Sequence, residues 1–223
     1  MIKNIPTNII SGFLGVGKTT AILQLLKQKK DNQRWAVLVN EFGEIGVDGS
    51  LFKGKIGGNQ DVFIKEVPGG CMCCSAGLPM QAALSLLLAK AQPHRLLIEP
   101  TGLGHPIEVL GVLSEDHYHE ILSIQKIVTL VDARKLKDIQ YIKDETFNQQ
   151  ISIADILIGN KKDLYKEEDK ANLLAYAKQN GSPHAKVLFA EKGTFSHKLL
   201  EGKTKAGNNN LFIVKYNSSG TKQ

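Results

Sequence analysis

The feature that most constrains the fold of this chain is a glycine-rich run near its beginning. Residues Gly12–Thr19 read GFLGVGKT, satisfy the pattern GxxxxGK[ST], and lie between an apolar strand-like run and a helical pattern. The glycines let the backbone curl so that several N–H groups point at a phosphate, and the helix that follows adds its positive N-terminal end. Lys18 can then reach the β- and γ-phosphates while the Thr19 hydroxyl ligates Mg²⁺. The run therefore predicts a P-loop that binds a nucleoside triphosphate.

Around this loop, short apolar runs alternate with helical patterns, which is typical of βαβ units. We predict an α/β fold of the P-loop NTPase (G domain) class, with a mostly parallel sheet and helices on both faces. The predicted strands are Thr7–Ser11, Trp35–Asn40, Val62–Val67, Arg95–Glu99, Lys126–Val131, Asp155–Gly159 and Lys186–Ala190. The predicted helices are Lys18–Gln28, Pro79–Ala91, Pro106–Leu113, Asp144–Ala154 and Lys166–Gln179.

The charge distribution divides the chain into a nearly neutral body and a basic tail. The 223 residues carry a net charge of +6, and residues 192–223 contribute six lysines and one acid, so residues 1–191 carry only +1. We predict a P-loop nucleotide-binding domain over residues 1–191, and we interpret residues 192–223 as a basic, loosely structured tail or the stub of a missing C-terminal domain. A nearly neutral body argues against specific nucleic-acid binding.

No apolar run approaches the length needed to cross a bilayer, and the first residues lack a secretory pattern. The expectation is a cytoplasmic protein without membrane association, whose thiols stay reduced. The glycine-rich stretch Glu41–Gln60 predicts a mobile loop between the second and third strands.

Two further motifs follow apolar strands and complete a nucleotide site. Glu99-Pro-Thr-Gly102 places an acid where it can hold the Mg²⁺ shell, and Gly102 would let its N–H approach the γ-phosphate. The NKxD run Asn160–Asp163 predicts guanine recognition, because the Asp163 carboxylate can accept from guanine N1–H and the N2 amine together. Adenine offers neither donor there, so GTP and GDP are the expected nucleotides.

All three cysteines of the chain, Cys71, Cys73 and Cys74, lie within four positions after a Pro-Gly-Gly turn. Thiolates suit Zn²⁺ or Cu(I), and three sulfurs leave one tetrahedral position open for transfer. Glu44, water or a side chain of a client protein could fill that position. Two alternatives stay open: the cysteines are ordinary small buried residues, or Cys73 and Cys74 form a redox pair.

The order of the motifs carries a family resemblance. The motifs occur along the chain in the order SGFLGVGKTT (11–20), VNEFGE (39–44), GGCMCC (69–74), EPTG (99–102) and NKKD (160–163). The chain resembles the CobW-like metallochaperone P-loop GTPases, and residues 78–81 and 95–106 are most similar to the YeiR-type zinc-binding branch.

The resemblance implies slow GTP hydrolysis coupled to binding zinc, or a similar transition metal, and transferring it to a client metalloprotein. By the same resemblance, residues of three motifs bind GTP: Gly15, Val16, Gly17, Lys18, Thr19, Thr20, Gly102, Asn160, Lys161 and Asp163. Lys18, Thr19 and Glu99 serve hydrolysis, with Thr19 and Glu99 on Mg²⁺, while Cys71, Cys73, Cys74 and Glu44 hold Zn²⁺.

The alternatives to this function are a GTP-responsive zinc sensor or store, and a regulatory GTPase with purely structural cysteines. A GTP- or metal-dependent homodimer is a further open alternative.

Overall fold

The computed structural model describes residues 3–40, 52–56, 59–67 and 78–206, with the backbone only for 52–56 and 59–60. Its strands are β1 (Ile5–Gly12), β2 (Trp35–Val39), β3 (Phe52–Ile56), β4 (Asn59–Glu66), β5 (Arg95–Glu99), β6 (Leu122–Ile124), β7 (Val128–Val131), β8 (Ile156–Gly159) and β9 (Lys186–Phe189). Its α-helices are α1 (Lys18–Leu26), α2 (Leu78–Ala91), α3 (Pro106–Leu113), α4 (Asp116–His119), α5 (Ile139–Lys143), α6 (Glu145–Ser152) and α7 (Glu167–Asn180).

The sheet runs in the order β3-β4-β2-β5-β1-β7-β8-β9, and β6 also pairs with β1. Every pairing between these described strands is parallel except the β3–β4 hairpin. Because β1 lies at the centre, the loop that follows it emerges in the middle of the carboxyl edge, which is where ligands bind in such sheets. The predicted fold class is confirmed.

Alternate side chains of the central strands face opposite layers of helices. Ile9 packs in one cluster with Leu84 of α2, whereas Ile10 packs in a second cluster with Ile22 of α1. A third cluster joins Phe147 of α6 to β8 and α7. Burial of both faces explains why the strands read as continuous apolar runs rather than alternating ones.

Part of the predicted Glu41–Gln60 loop is wrong. Residues 52–56 form β3, and β4 begins at Asn59 rather than Val62. The hairpin supplies backbone partners to β4, which would otherwise present unpaired N–H and C=O groups at the edge of the sheet. Gly54 lies in β3 beside a register shift. Because the stretch around it is rich in glycine, the sequence pattern indicated a loop and not a strand. The remainder of the predicted loop, 41–51 and 57–58, lies outside the described residues.

The packed chain continues beyond the predicted boundary at residue 191. Leu200 is fully buried in the cluster that contains α1, and its carbonyl accepts a 2.9 Å hydrogen bond from Asn8 Nδ2. Residues 192–206 are therefore not a loose tail, because their few apolar side chains bury against the domain despite a lysine-rich composition. Residues 207–223 lie outside the described part of the chain. The expectation of a further domain there stays a prediction.

Within the described residues no helix combines the length and apolarity that a membrane crossing requires.

Candidate nucleotide-binding site

The P-loop joins β1 to α1 through glycines in the left-handed half of backbone space. Gly12, Gly15 and Gly17 have φ angles of 143°, 67° and 97°. A Cβ on Gly12 would lie 2.5 Å from the Leu130 carbonyl oxygen, and one on Gly17 would lie 2.8 Å from Asn160 Nδ2. Gly17 is also the N-cap of α1 and makes no side-chain cap. The first N–H groups of α1 therefore stay available to an anion.

Lys18 is buried at the start of α1, and its Nζ donates to the Phe13 carbonyl at 3.4 Å. Desolvation lowers the pKa of Lys18, and the negative charge of Glu99 offsets only part of that effect. A buried ammonium with one long hydrogen bond gains stabilisation from a second anion nearby. The position suits an electrostatic contact to a phosphate.

Thr19 and Glu99 meet although they are 80 residues apart in the sequence. The Thr19 hydroxyl donates to Glu99 Oε1 at 2.8 Å, while the buried Oε2 has no hydrogen-bond partner among the described residues. Burial raises the pKa of Glu99 to about 7, although the Thr19 hydrogen bond and the Lys18 charge act to lower it. An unpaired buried carboxylate oxygen beside a hydroxyl fits Mg²⁺, which prefers oxygen ligands.

The segment after Glu99 lies against the P-loop. A Cβ on Gly102 would lie 2.7 Å from the backbone nitrogen of Leu14, so only glycine allows this approach. The fully buried Gln150 of α6 fixes the segment, donating from Nε2 to the carbonyls of Gly102 at 3.0 Å and Gly104 at 3.3 Å. Sequence motifs missed Gln150; its one signal was a polar residue on the apolar face of a helix.

The NKxD turn is joined to the P-loop through side chains. Asn160 Nδ2 donates to the Val16 carbonyl at 2.9 Å, and Lys161 Nζ donates to the Gly15 carbonyl at 2.8 Å. Asn160 is 2% exposed, whereas Asp163 is exposed. The structure thus brings Asn160 and Lys161 to the phosphate loop and leaves the Asp163 carboxylate open to a ligand. Thr20 is exposed in the first turn of α1.

A turn after β9 completes this side of the site, and it lies outside the motifs named from the sequence. Gly193 N donates to Asn160 Oδ1 at 2.9 Å. Gly193 has φ 69°, and a Cβ there would lie 2.8 Å from Ala21 Cα on α1. Lys192 is also left-handed, with φ 49°. The Lys192-Gly193 pair predicts a turn from the sequence alone. The contact of that turn with Asn160 cannot be predicted in the same way, because it depends on β9 lying next to β8 in the sheet.

The predicted zinc ligands Cys71, Cys73, Cys74 and Glu44 lie outside the described residues. The strand that leads to the cysteines is described: Val67 N donates to the Val39 carbonyl at 2.9 Å, and Glu66, Val39 and Glu99 are register partners across three neighbouring strands. Glu66 and Glu99 are thus separated by two strand spacings, about 10 Å. In the described ranges no three His, Cys, Asp or Glu side chains gather as a metal site.

The fold and the site together define a P-loop nucleotide-binding domain of the G-protein class. A family profile described as "CobW/HypB/UreG, nucleotide-binding domain" matches residues 6–189. The chain belongs to this family.

Curated relatives agree with this assignment. The chain is 44% identical over 195 residues to the zinc chaperone YeiR of Escherichia coli (strain K12), covering 87% of this chain and 58% of that protein. It is 30% identical over 184 residues to the zinc chaperone CobW of Sinorhizobium sp, covering 72% and 51%. It is 31% identical over 169 residues to the zinc-regulated GTPase metalloprotein activator 1 of Schizosaccharomyces pombe, covering 74% and 40%. The chain therefore spans about half of the length of these relatives.

Solved structures share the fold. The Zn(II)-bound YjiA GTPase from E. coli matches with a TM-score of 0.66 at 23% identity, covering 89% of this chain and 61% of that one. Nickel-complexed HypB from Helicobacter pylori matches with a TM-score of 0.52 at 17% identity, covering 99% and 91%.

Proposed function

We propose that this protein is a slow GTPase that couples its nucleotide state to the binding of zinc, or a similar transition metal, and to its transfer to a client metalloprotein. Membership of the CobW family supports the GTPase part, and relatives named as zinc chaperones support the metal part. Client docking belongs to the whole protein and is proposed on the same basis, while a GTP- or metal-dependent homodimer stays a prediction from the sequence.

The observation that carries the proposal is the placement of two strand ends on one edge of the sheet. β5 ends at Glu99 beside Thr19, and β4 ends two strands away at Glu66, five residues before Cys71. A displacement of the carboxyl ends of β5 and β2 upon nucleotide binding would act directly on the start of the cysteine segment. A tenfold change in metal affinity needs about 1.4 kcal/mol of coupling.

On the nucleotide side, the residues of the P-loop bind phosphate: Gly15, Val16, Gly17, Lys18, Thr19 and Thr20. Thr19 and Glu99 would hold Mg²⁺, which neutralises charge on the β- and γ-phosphate oxygens when bound. Gly102 brings the backbone after Glu99 against the loop. Asp163 accepts from the guanine base, and Asn160 and Lys161 fix the turn that carries it.

The engagement of all three arginines supports slow turnover. Arg34 donates to the carbonyls of Ala91 and Gln92, and Arg95 bonds Asn8 and Glu201. Arg134 bonds Asp132. The sequence has no other arginine to stabilise charge on a transferring phosphoryl group. G proteins without such an arginine turn over at roughly 10⁻⁴–10⁻³ per second.

On the metal side, zinc is the cargo. Cys71, Cys73 and Cys74 would supply three thiolates, and Glu44, water or a client side chain the fourth ligand. A site with one exchangeable ligand can pass its ion to another set of thiolates or imidazoles without first releasing it to water.

The test is the zinc dissociation constant, measured by chelator competition in the nucleotide-free, GDP-bound and GTP-analogue-bound states with Mg²⁺ present. We expect at least a tenfold difference between states, abolished in Cys73→Ser. Lys18→Ala is the matched control, because it should lose GTP binding while retaining zinc. Zinc affinity that ignores the nucleotide would favour a sensor or store, and no zinc binding would leave a GTPase alone.

A further inference from the structure

Asp132 lies in no recognised motif, yet it is buried beside the nucleotide site. It directly follows β7, the strand between β1 with the P-loop and β8 with the NKxD turn. Only 4% of the residue is exposed. A buried carboxylate is retained where cations compensate its desolvation.

One of those cations is Lys161 of the NKxD turn. Lys161 Nζ lies 3.4 Å from Asp132 Oδ2 and donates at 2.8 Å to the Gly15 carbonyl. The side chain therefore spans from the carboxylate to the P-loop. Lys161 also has φ 63°, in the left-handed region of backbone space. Residues other than glycine, Asn and Asp adopt this region at a cost in conformational free energy. Contacts of its ammonium group offset that cost.

The other cation is Arg134, which pairs with the same carboxylate. Its Nε donates to Oδ1 at 2.9 Å and its Nη2 to Oδ2 at 2.7 Å, a bidentate pair. The next residue is fixed as well, because Tyr165 Oη accepts from Ala133 N at 2.8 Å and donates to the Asn160 carbonyl. Tyr165 thus joins the residue after Asp132 to Asn160, the residue before Lys161.

We propose that Asp132 is a positioning residue for guanine-nucleotide binding. Its charge holds Lys161, and through Lys161 the Gly15 carbonyl, in the binding geometry before the nucleotide enters. The inference rests on the proposed GTP binding and adds a residue to it. Arg134 pairs with the same carboxylate, but Lys161 is the cation that also contacts the P-loop, so we expect the contribution of Arg134 to binding to be small.

The test is the dissociation rate of a fluorescent GDP from the full chain carrying Asp132→Asn. We expect dissociation about tenfold faster than in the wild type, with circular dichroism showing a folded protein. Two variants are matched controls: Arg134→Gln removes the other cation, and Asp138→Asn changes an aspartate that caps α5 through Gln140 N. Both should change the rate by less than about twofold.

A double-mutant cycle between Asp132 and Lys161 distinguishes a positioning role of Asp132 from a general structural one. Measured as GDP dissociation constants, Asp132→Asn should have no effect in a Lys161→Met background, because the charge it acts on is gone. The inference is overturned if Asp132→Asn leaves GDP binding unchanged, if Arg134→Gln reproduces its effect, or if the two substitutions are additive. A wild-type protein that binds no GDP would instead overturn the proposed function itself.

Discussion

Burial raises the pKa of Glu99 from an ordinary value of 4.5 to about 7, so the metal-free folded state retains the protonated acid up to about pH 7. The sign of the linkage follows from that direction. Glu99 contributes to the free energy of unfolding below pH 4.5, and this contribution is lost as the pH rises through 7. The reason is that ionising the buried carboxyl costs more than ionising it in the unfolded chain. Mg²⁺ would reverse this penalty by ligating the ionised oxygens.

The corresponding prediction concerns Glu99→Gln, which keeps the shape and removes the titration. Between pH 5 and 8, without Mg²⁺ or nucleotide, wild-type unfolding free energy should fall relative to the variant by about 2–3 kcal/mol. Urea unfolding in EDTA at several pH values measures the difference. Parallel pH profiles for the two proteins would mean that Glu99 is ionised throughout.

Among helices and strands, contacts between distant segments decide what the sequence could reveal. β5 and α3 have the predicted bounds because local signals mark them. β5 is an apolar run with a charged residue at each end, and α3 begins with a proline. The β3 strand was missed because it depends on pairing with β4. Gln150 and Asp132 were missed for a related reason: each acts on a residue that only the completed sheet brings near. The motifs themselves were readable because phosphate and guanine binding need fixed spacings.

A prediction at this scale concerns the contact of α6 with the segment after Glu99. Gln150→Met keeps the side-chain volume but leaves the Gly102 and Gly104 carbonyls without their donor. We expect a loss of about 1–3 kcal/mol in unfolding free energy, because buried carbonyls stay unpaired. Gln140→Met is the matched control, since Gln140 is exposed. A loss no larger than in the control would show that the segment does not depend on α6.

At the scale of the whole domain, residues 193–206 run from the carboxyl ends of the strands to their amino ends. Gly193 bonds Asn160 at the carboxyl edge, and Glu201 pairs at 2.9 Å with Arg95, the first residue of β5. Between them Leu200 is fully buried against the α1 cluster. Any chain that follows Ala206 therefore begins from a segment anchored on the nucleotide domain, rather than from a flexible tether.

This anchoring predicts that Leu200→Ala destabilises the entire domain rather than a local end. Removing a fully buried leucine should cost about 2–5 kcal/mol, and the loss should appear in one cooperative unfolding transition. Leu174→Ala is the control, because Leu174 is 50% exposed in α7. Urea unfolding followed by both circular dichroism and Trp35 fluorescence makes the comparison, since Trp35 is buried in the same cluster as Leu200. If Leu200→Ala behaves like the control, residues 193–206 separate from the domain before it unfolds and are not part of its cooperative unit.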